Sequence, residues 1–151
     1  MREKDRARCF ERDGYVEVDD QDCAYWIELP DRRAASAWVA LDDSTVDNGC
    51  LWFVPGSHAR PMRPHRAMGP GGALYCDPPE AGAVAVPLKA GSCTLHAGGT
   101  LHYSRGNVTA GHRRALIVNS RPRAMVDYER ARGFDHGKDG AGRANRNPST
   151  L

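Results

Sequence analysis

The chain has 151 residues, 40% hydrophobic and 26% charged, which fits one ordinary globular domain. A net charge of +2 and a pI near 8.3 are too balanced for a nucleic-acid binder built on electrostatics. No apolar run reaches membrane-spanning length, which excludes a transmembrane helix.

The opening, "MREKDRARCF", is charged and carries no signal-peptide pattern, so a reducing, cytoplasmic setting is expected. The five cysteines (9, 23, 50, 76 and 93) are scattered and odd in number, against both a zinc ribbon and a disulfide scaffold. The basic residues are nearly all Arg; the lysines are Lys4, Lys89 and Lys138. Short apolar segments then follow one another. Strands are predicted at 15–18, 25–29, 36–42, 50–55, 83–88, 92–96, 100–104 and 113–120. Each is rich in β-branched or aromatic residues and is bounded by turn clusters such as "DNG", "PGS" and "DPPEAG". Regular short strands of this kind predict an antiparallel sandwich or barrel. One short helix is predicted from Ala124 to Arg132. From Gly133 the sequence is polar and Gly-rich, so the domain is placed at 1–132 and a flexible tail at 133–151.

The phrase "LHAGGTLHYS" bears on function. A two-residue turn at Gly98-Gly99 would pair Ala97 with Thr100 and His96 with Leu101. His102 and Ser104 would then share one face, and His96 would lie on the other, so only one histidine would point inward. Single features have ordinary readings: His65 and His136 as surface residues, Trp26, Trp38 and Trp52 as core, Asn48-Gly49 as a hairpin turn, and Asp42-Asp43 and Arg113-Arg114 as solvated charge.

"SAWVALDDSTVDNGCLWFVPGSH" and "LHYSRGNVTAGHRRALIVNSRP" together resemble the phytanoyl-CoA dioxygenase family, with its W-x-A-L-D-D, N-G-x-L, P-G-S-H and H-x-S-x-x-N phrases. The resemblance runs from about Asp20 to Asp139. It implies a mainly β, double-stranded β-helix (cupin-like jelly-roll) fold. It also implies an Fe(II)/2-oxoglutarate-dependent dioxygenase that hydroxylates a small organic substrate, with no nucleic acid or membrane involved. Carried over residue by residue, Asp22 matches the carboxylate metal ligand and His102 the distal histidine ligand. Arg113 matches the arginine that grips the far carboxylate of 2-oxoglutarate, Ser104 a hydroxyl assisting it, and Trp38 a wall of that pocket. Asn107 matches a local support, and His58 is no ligand.

Two departures qualify the resemblance. In the family's His-x-Asp phrase the histidine position holds Asp20, so Asp20 is either a replaced or an alternative ligand. A site of two carboxylates and one imidazole favours harder ions than Fe(II). That predicts a weakened or inactive enzyme, which Asp20→His would repair. The phrase "FERDGYV" (10–16) also abuts "EVDDQD" directly, as though an intervening segment were shortened. A barrel edge left open would favour a homo-oligomer. Two alternatives follow: a non-catalytic binding or scaffold relative, or a partial domain completed by a partner chain.

Overall fold

In the computed structural model, the residues described are 21–25, 33–67, 74–76 and 81–133. Asp20, the predicted strand at 15–18, all but Tyr25 of the predicted strand at 25–29, and nearly all of the predicted tail lie outside them. The chain within them is mainly β. Its strands are β1 (Ala35–Ala40), β2 (Leu51–Phe53), β3 (Arg66–Ala67), β4 (Leu74–Tyr75), β5 (Val84–Val86), β6 (Cys93–Ala97), β7 (His102–Ser104) and β8 (Ala115–Ser120). One helix, α1 (Arg123–Arg130), follows, two residues shorter at its end than predicted. Tyr25 ends a 3-10 turn, Asp22–Tyr25, rather than starting a strand.

Two antiparallel three-stranded sheets face each other, ordered β6-β1-β8 and β5-β2-β7, as in a jelly roll. The strand alternation shows which residues enter the space between them. On β1, Ser36, Trp38 and Ala40 are buried, and Trp38 pairs with Thr94 and Ile117, Ser36 with His96 and Asn119. On the second sheet, Leu51 pairs with Val86 and Ser104, and Phe53 with Val84 and His102. Trp38, Ala40 and Leu51 form the apolar floor, with Phe53, Leu88 and Ala115 packed against it. Burying each large apolar side chain there contributes about 1.5–3 kcal/mol.

The outer face of the β6-β1-β8 sheet is unusual. Cys93, Leu95 and Ala97, then Ala35, Ala37 and Val39, then Leu116 and Val118 all point outward, and Leu95 is 76% exposed. Among the described residues, β6 and β8 pair only with β1, so each leaves one edge open.

The connection from β1 to β2 is a turn, but not a hairpin, because the two strands belong to different sheets. Asn48 closes it by accepting from Thr45 N (2.7 Å) and donating to the Asp43 carbonyl (2.8 Å). Gly49 follows at φ +89°, and a Cβ there would stand 2.3 Å from the Arg105 carbonyl oxygen. Only glycine fits both the backbone angle and the space. The acidic pair that precedes this turn is engaged at the surface. Asp42 receives the Arg114 guanidinium through two nitrogens (2.8 and 2.9 Å), and Asp43 receives Lys89 (2.7 Å).

Candidate metal centre

Asp22 is held from three directions. Gln21, itself buried, donates through Nε2 to the Gly99 carbonyl (2.5 Å) and accepts from Arg63 N (3.1 Å). Cys23 N donates to the Gly98 carbonyl (2.9 Å). The Asp22 carboxylate then accepts from Ser36 Oγ and faces His96 Nε2 at 3.2 Å. Burial pushes the Asp22 carboxyl up. The His96 hydrogen bond, the charge of nearby His102 and the Ser36 hydrogen bond outweigh burial and hold the group below the ordinary carboxylate range.

The two histidines arrive from opposite sheets. The Gly98-Gly99 turn exists, with Thr100 N bonded to the Ala97 carbonyl (2.9 Å). Yet β6 pairs with β1 while β7 pairs with β2, so the turn carries the chain across the sandwich instead of closing a hairpin. The expected pairing of His96 with Leu101 is therefore corrected. Both histidines point inward, their ring centroids 4.9 Å apart. Phe53 packs on both rings, at 4.9 and 5.8 Å.

Asp22, His96 and His102 each present a ligand atom within 4.8 Å of the others. Two imidazoles and one carboxylate make the donor set suited to Fe(II) with open positions. His102 is also prepared as a ligand, since its Nδ1 lies 3.0 Å from the Thr100 carbonyl. That contact makes Nδ1 the protonated nitrogen and leaves Nε2 its lone pair. The "PGSH" loop holds this strand in place. Ser57 Oγ donates to the Val54 carbonyl (2.7 Å) and accepts from Leu101 N (2.9 Å), the residue before His102. His58 belongs to no ligand cluster among the described residues.

One strand pair further along the interior lie Trp38 and Ser104. Two residues of strand span about 6.6–6.8 Å. The Arg113 guanidinium lies 5.4 Å from the centroid of the Trp38 ring. It is partly buried, burial lowers its pKa, and no acidic side chain of the described residues pairs with it. Arg114 faces the other way, onto Asp42. Asn107 shapes the loop that delivers Arg113, donating to the Gly111 carbonyl (2.7 Å) and accepting from Thr109 N (2.8 Å).

Residues 10–115 match the sequence profile of the family described as "Phytanoyl-CoA dioxygenase (PhyH)". The chain belongs to the phytanoyl-CoA dioxygenase family. It is 36% identical over 107 residues to the mouse "Phytanoyl-CoA dioxygenase domain-containing protein 1", covering 66% of this chain and 37% of that protein. Among solved structures it resembles EvdO2 of Micromonospora carbonacea var. aurantiaca, with 34% identity, a TM-score of 0.62, and coverage of 69% of this chain and 44% of that one. The same protein complexed with 2-oxoglutarate matches at 31% identity and a TM-score of 0.59, covering 72% and 48%. The chain thus spans less than half the length of these relatives.

Of the residues singled out from the sequence, the fold gathers Asp22 and His102 at one level and Trp38 and Ser104 at the next, with Arg113 over Trp38. His96 was missed as a site residue. Its signal was an inverted alternation on β6, which turns Thr94 and His96 inward and Leu95 outward.

Proposed function

We propose that this chain is an Fe(II)- and 2-oxoglutarate-dependent oxygenase domain whose metal is held by Asp22, His96 and His102. The juxtaposition of two imidazoles and one carboxylate between the sheets carries this reading. It also answers the departure at position 20, because His96 supplies the second nitrogen that Asp20 lacks. With iron bound, 2-oxoglutarate and dioxygen yield succinate and carbon dioxide while one oxygen atom enters a substrate C–H bond. The chain's own residues supply positioning. Ser36 and Gln21 fix Asp22, Thr100 fixes the His102 tautomer, and Phe53 keeps the two imidazoles apart from bulk water.

Arg113 and Ser104 grip the far carboxylate of 2-oxoglutarate against the Trp38 wall. A guanidinium offers that carboxylate two parallel donors, and Arg113 has no competing acid among the described residues. A small-molecule substrate and a cytoplasmic setting complete the reading; the free thiols of Cys50 and Cys93 accord with a reducing compartment. The test is anaerobic loading with Fe(II), metal analysis, and measurement of succinate from 2-oxoglutarate. One iron per chain with succinate formation is expected. Absence of metal binding would leave a non-catalytic scaffold domain.

A second reading concerns assembly. The exposed apolar outer face and the open edges of β6 and β8 favour a domain completed by another copy of this chain. Light scattering that finds only monomer at micromolar concentration refutes it.

A further inference from the structure

A cleft of about 510 Å³ opens beside His96, between β6 and the β2–β5 pair. Its volume falls in the range of small-molecule sites, about 300–1,000 Å³. Phe53, Val54 and Val86 give it an apolar lining, His58 stands at its edge, and Thr94 and His96 border it from β6. No Asp, Glu, Lys or Arg side chain of the described residues lines it. It therefore differs in chemistry from the Arg113 flank of the same site.

Two polar atoms on this wall lack partners. Thr94 Oγ1 and His96 Nδ1 are both sealed from solvent, and neither makes a hydrogen bond among the described residues. The His96 side chain is only 8% exposed. The contrast with His102 is informative, since Thr100 already accepts the second ring nitrogen there. A metal-binding imidazole almost always donates its other N–H to an acceptor. With Nε2 turned to Asp22 and the metal position, His96 Nδ1–H needs an oxygen that the described residues do not provide. Thr94, two residues away on the same face, offers a hydroxyl beside it. Buried polar groups left unpaired are rare and call for an explanation such as a ligand.

We propose that this cleft seats the substrate, an uncharged and largely apolar molecule bearing one carbonyl or hydroxyl oxygen. The His96 ring and the Thr94 side chain turn to the cleft as the molecule enters, so that its oxygen accepts from His96 Nδ1 and meets Thr94 Oγ1, and the apolar body packs on Phe53, Val54 and Val86. Seated so, the molecule lies against a metal ligand, while the anionic cosubstrate takes the Arg113 side. With no metal bound, a carboxylate or phosphate inside the cleft would find no Lys or Arg to offset its desolvation. The assignment of this molecule as substrate rests on the oxygenase reading above.

The test is ligand-detected NMR on the whole chain with four probes of similar shape: cyclohexanol, cyclohexanone, cyclohexanecarboxylate and cyclohexylammonium. It is run metal-free and again with Mn(II). In the metal-free protein the two neutral probes should bind at least tenfold more tightly than the two ions. Thr94→Val should weaken them about fivefold, the scale of one neutral hydrogen bond, and Val86→Trp should abolish binding by filling the cleft. Mn(II) should broaden the bound neutral probes through its paramagnetism. Equal or tighter binding of an ion to the metal-free protein, no binding of any probe, or neutral binding that Thr94→Val leaves unchanged each overturns the proposal. Neutral binding that depends on Thr94 but is untouched by Mn(II) upholds the cleft's preference and sinks the metal reading instead.

Discussion

Removal of His96 is the sharpest test of the metal centre. If His96 Nε2 is a ligand, His96→Ala deletes one of three protein donors. Four-ligand zinc sites bind with about 10–16 kcal/mol, or about 3 kcal/mol per ligand. Loss of one ligand then weakens binding on the order of 100-fold. Asp22 loses its 3.2 Å partner as well, but Ser36 Oγ still holds the carboxylate, so the acid should stay in place. Titration calorimetry with Co(II) measures the affinity, and imidazole hyperfine signals from the Cu(II)-loaded protein count the nitrogens. Two imidazoles are expected in the native chain and one in His96→Ala. The second arm is Asp20→His. With His96 already supplying a nitrogen, this change should raise affinity less than tenfold, although the sequence alone predicts distinctly tighter Fe(II) binding. The reasoning is refuted if His96→Ala retains two imidazoles with less than a tenfold loss. It is equally refuted if Asp20→His gains 100-fold, for then position 20 is the missing donor and His96 merely steadies Asp22.

Three further outcomes are expected. Arg113→Ala should weaken 2-oxoglutarate binding to the metal-loaded protein by about 1.5–3 kcal/mol, the scale of a charged hydrogen bond; Arg114→Ala should matter far less, because Asp42 already holds that side chain, and calorimetry compares the two. Gly49→Ala should destabilise the fold by about 2 kcal/mol or more in urea titration, since it combines a positive-φ alanine with a backbone clash at Arg105. His65, expected at the surface from the sequence, is instead buried, which lowers its pKa. Its contribution to stability is thus full above about pH 6.5, the ordinary histidine value, and is lost as pH falls from there through the lowered folded value. Urea midpoints measured from pH 7.5 to 5 should fall with acidification, and His65→Gln should flatten that slope.

Most strands were legible because their apolar and β-branched residues alternate between Gly, Pro and Asp turns. The six described strands of the two facing sheets lie within a residue or two of the predicted segments. The two-residue strands β3 and β4 carry no such period and could not be read. The site was half legible. Asp22, His102, Ser104, Trp38 and Arg113 stood in recognisable phrases, whereas His96 was assigned to the wrong face. Local turn rules place Thr100 against Ala97, and that contact exists. They cannot reveal that β6 continues into one sheet and β7 into the other, since tertiary pairing with β1 and β2 decides it. Hydrophobic alternation gives no help here either. Ordinarily the apolar residues of a strand turn inward, but on β6 the exposed Leu95 turns outward while Thr94 and His96 line the interior.

That inversion ties the site to the fold. A chamber that must present ligands and hydrogen-bond donors needs polar residues on the inner side of β6 and β7. The Gly98-Gly99 crossover lets a short phrase supply a histidine from each wall. The same turn anchors Asp22, because its two glycine carbonyls accept from Cys23 N and Gln21 Nε2, the residues on either side of it. Gly99 also runs close beneath the "PGSH" loop, where a Cβ would stand 3.5 Å from the His58 carbonyl oxygen. Asp22 and the two histidines are therefore set by one structural unit, although more than seventy residues separate Asp22 from His96. A shift of the crossover would move all three together. The carboxylate is thus placed against His96 as well as His102, and a second nitrogen donor need not come from position 20.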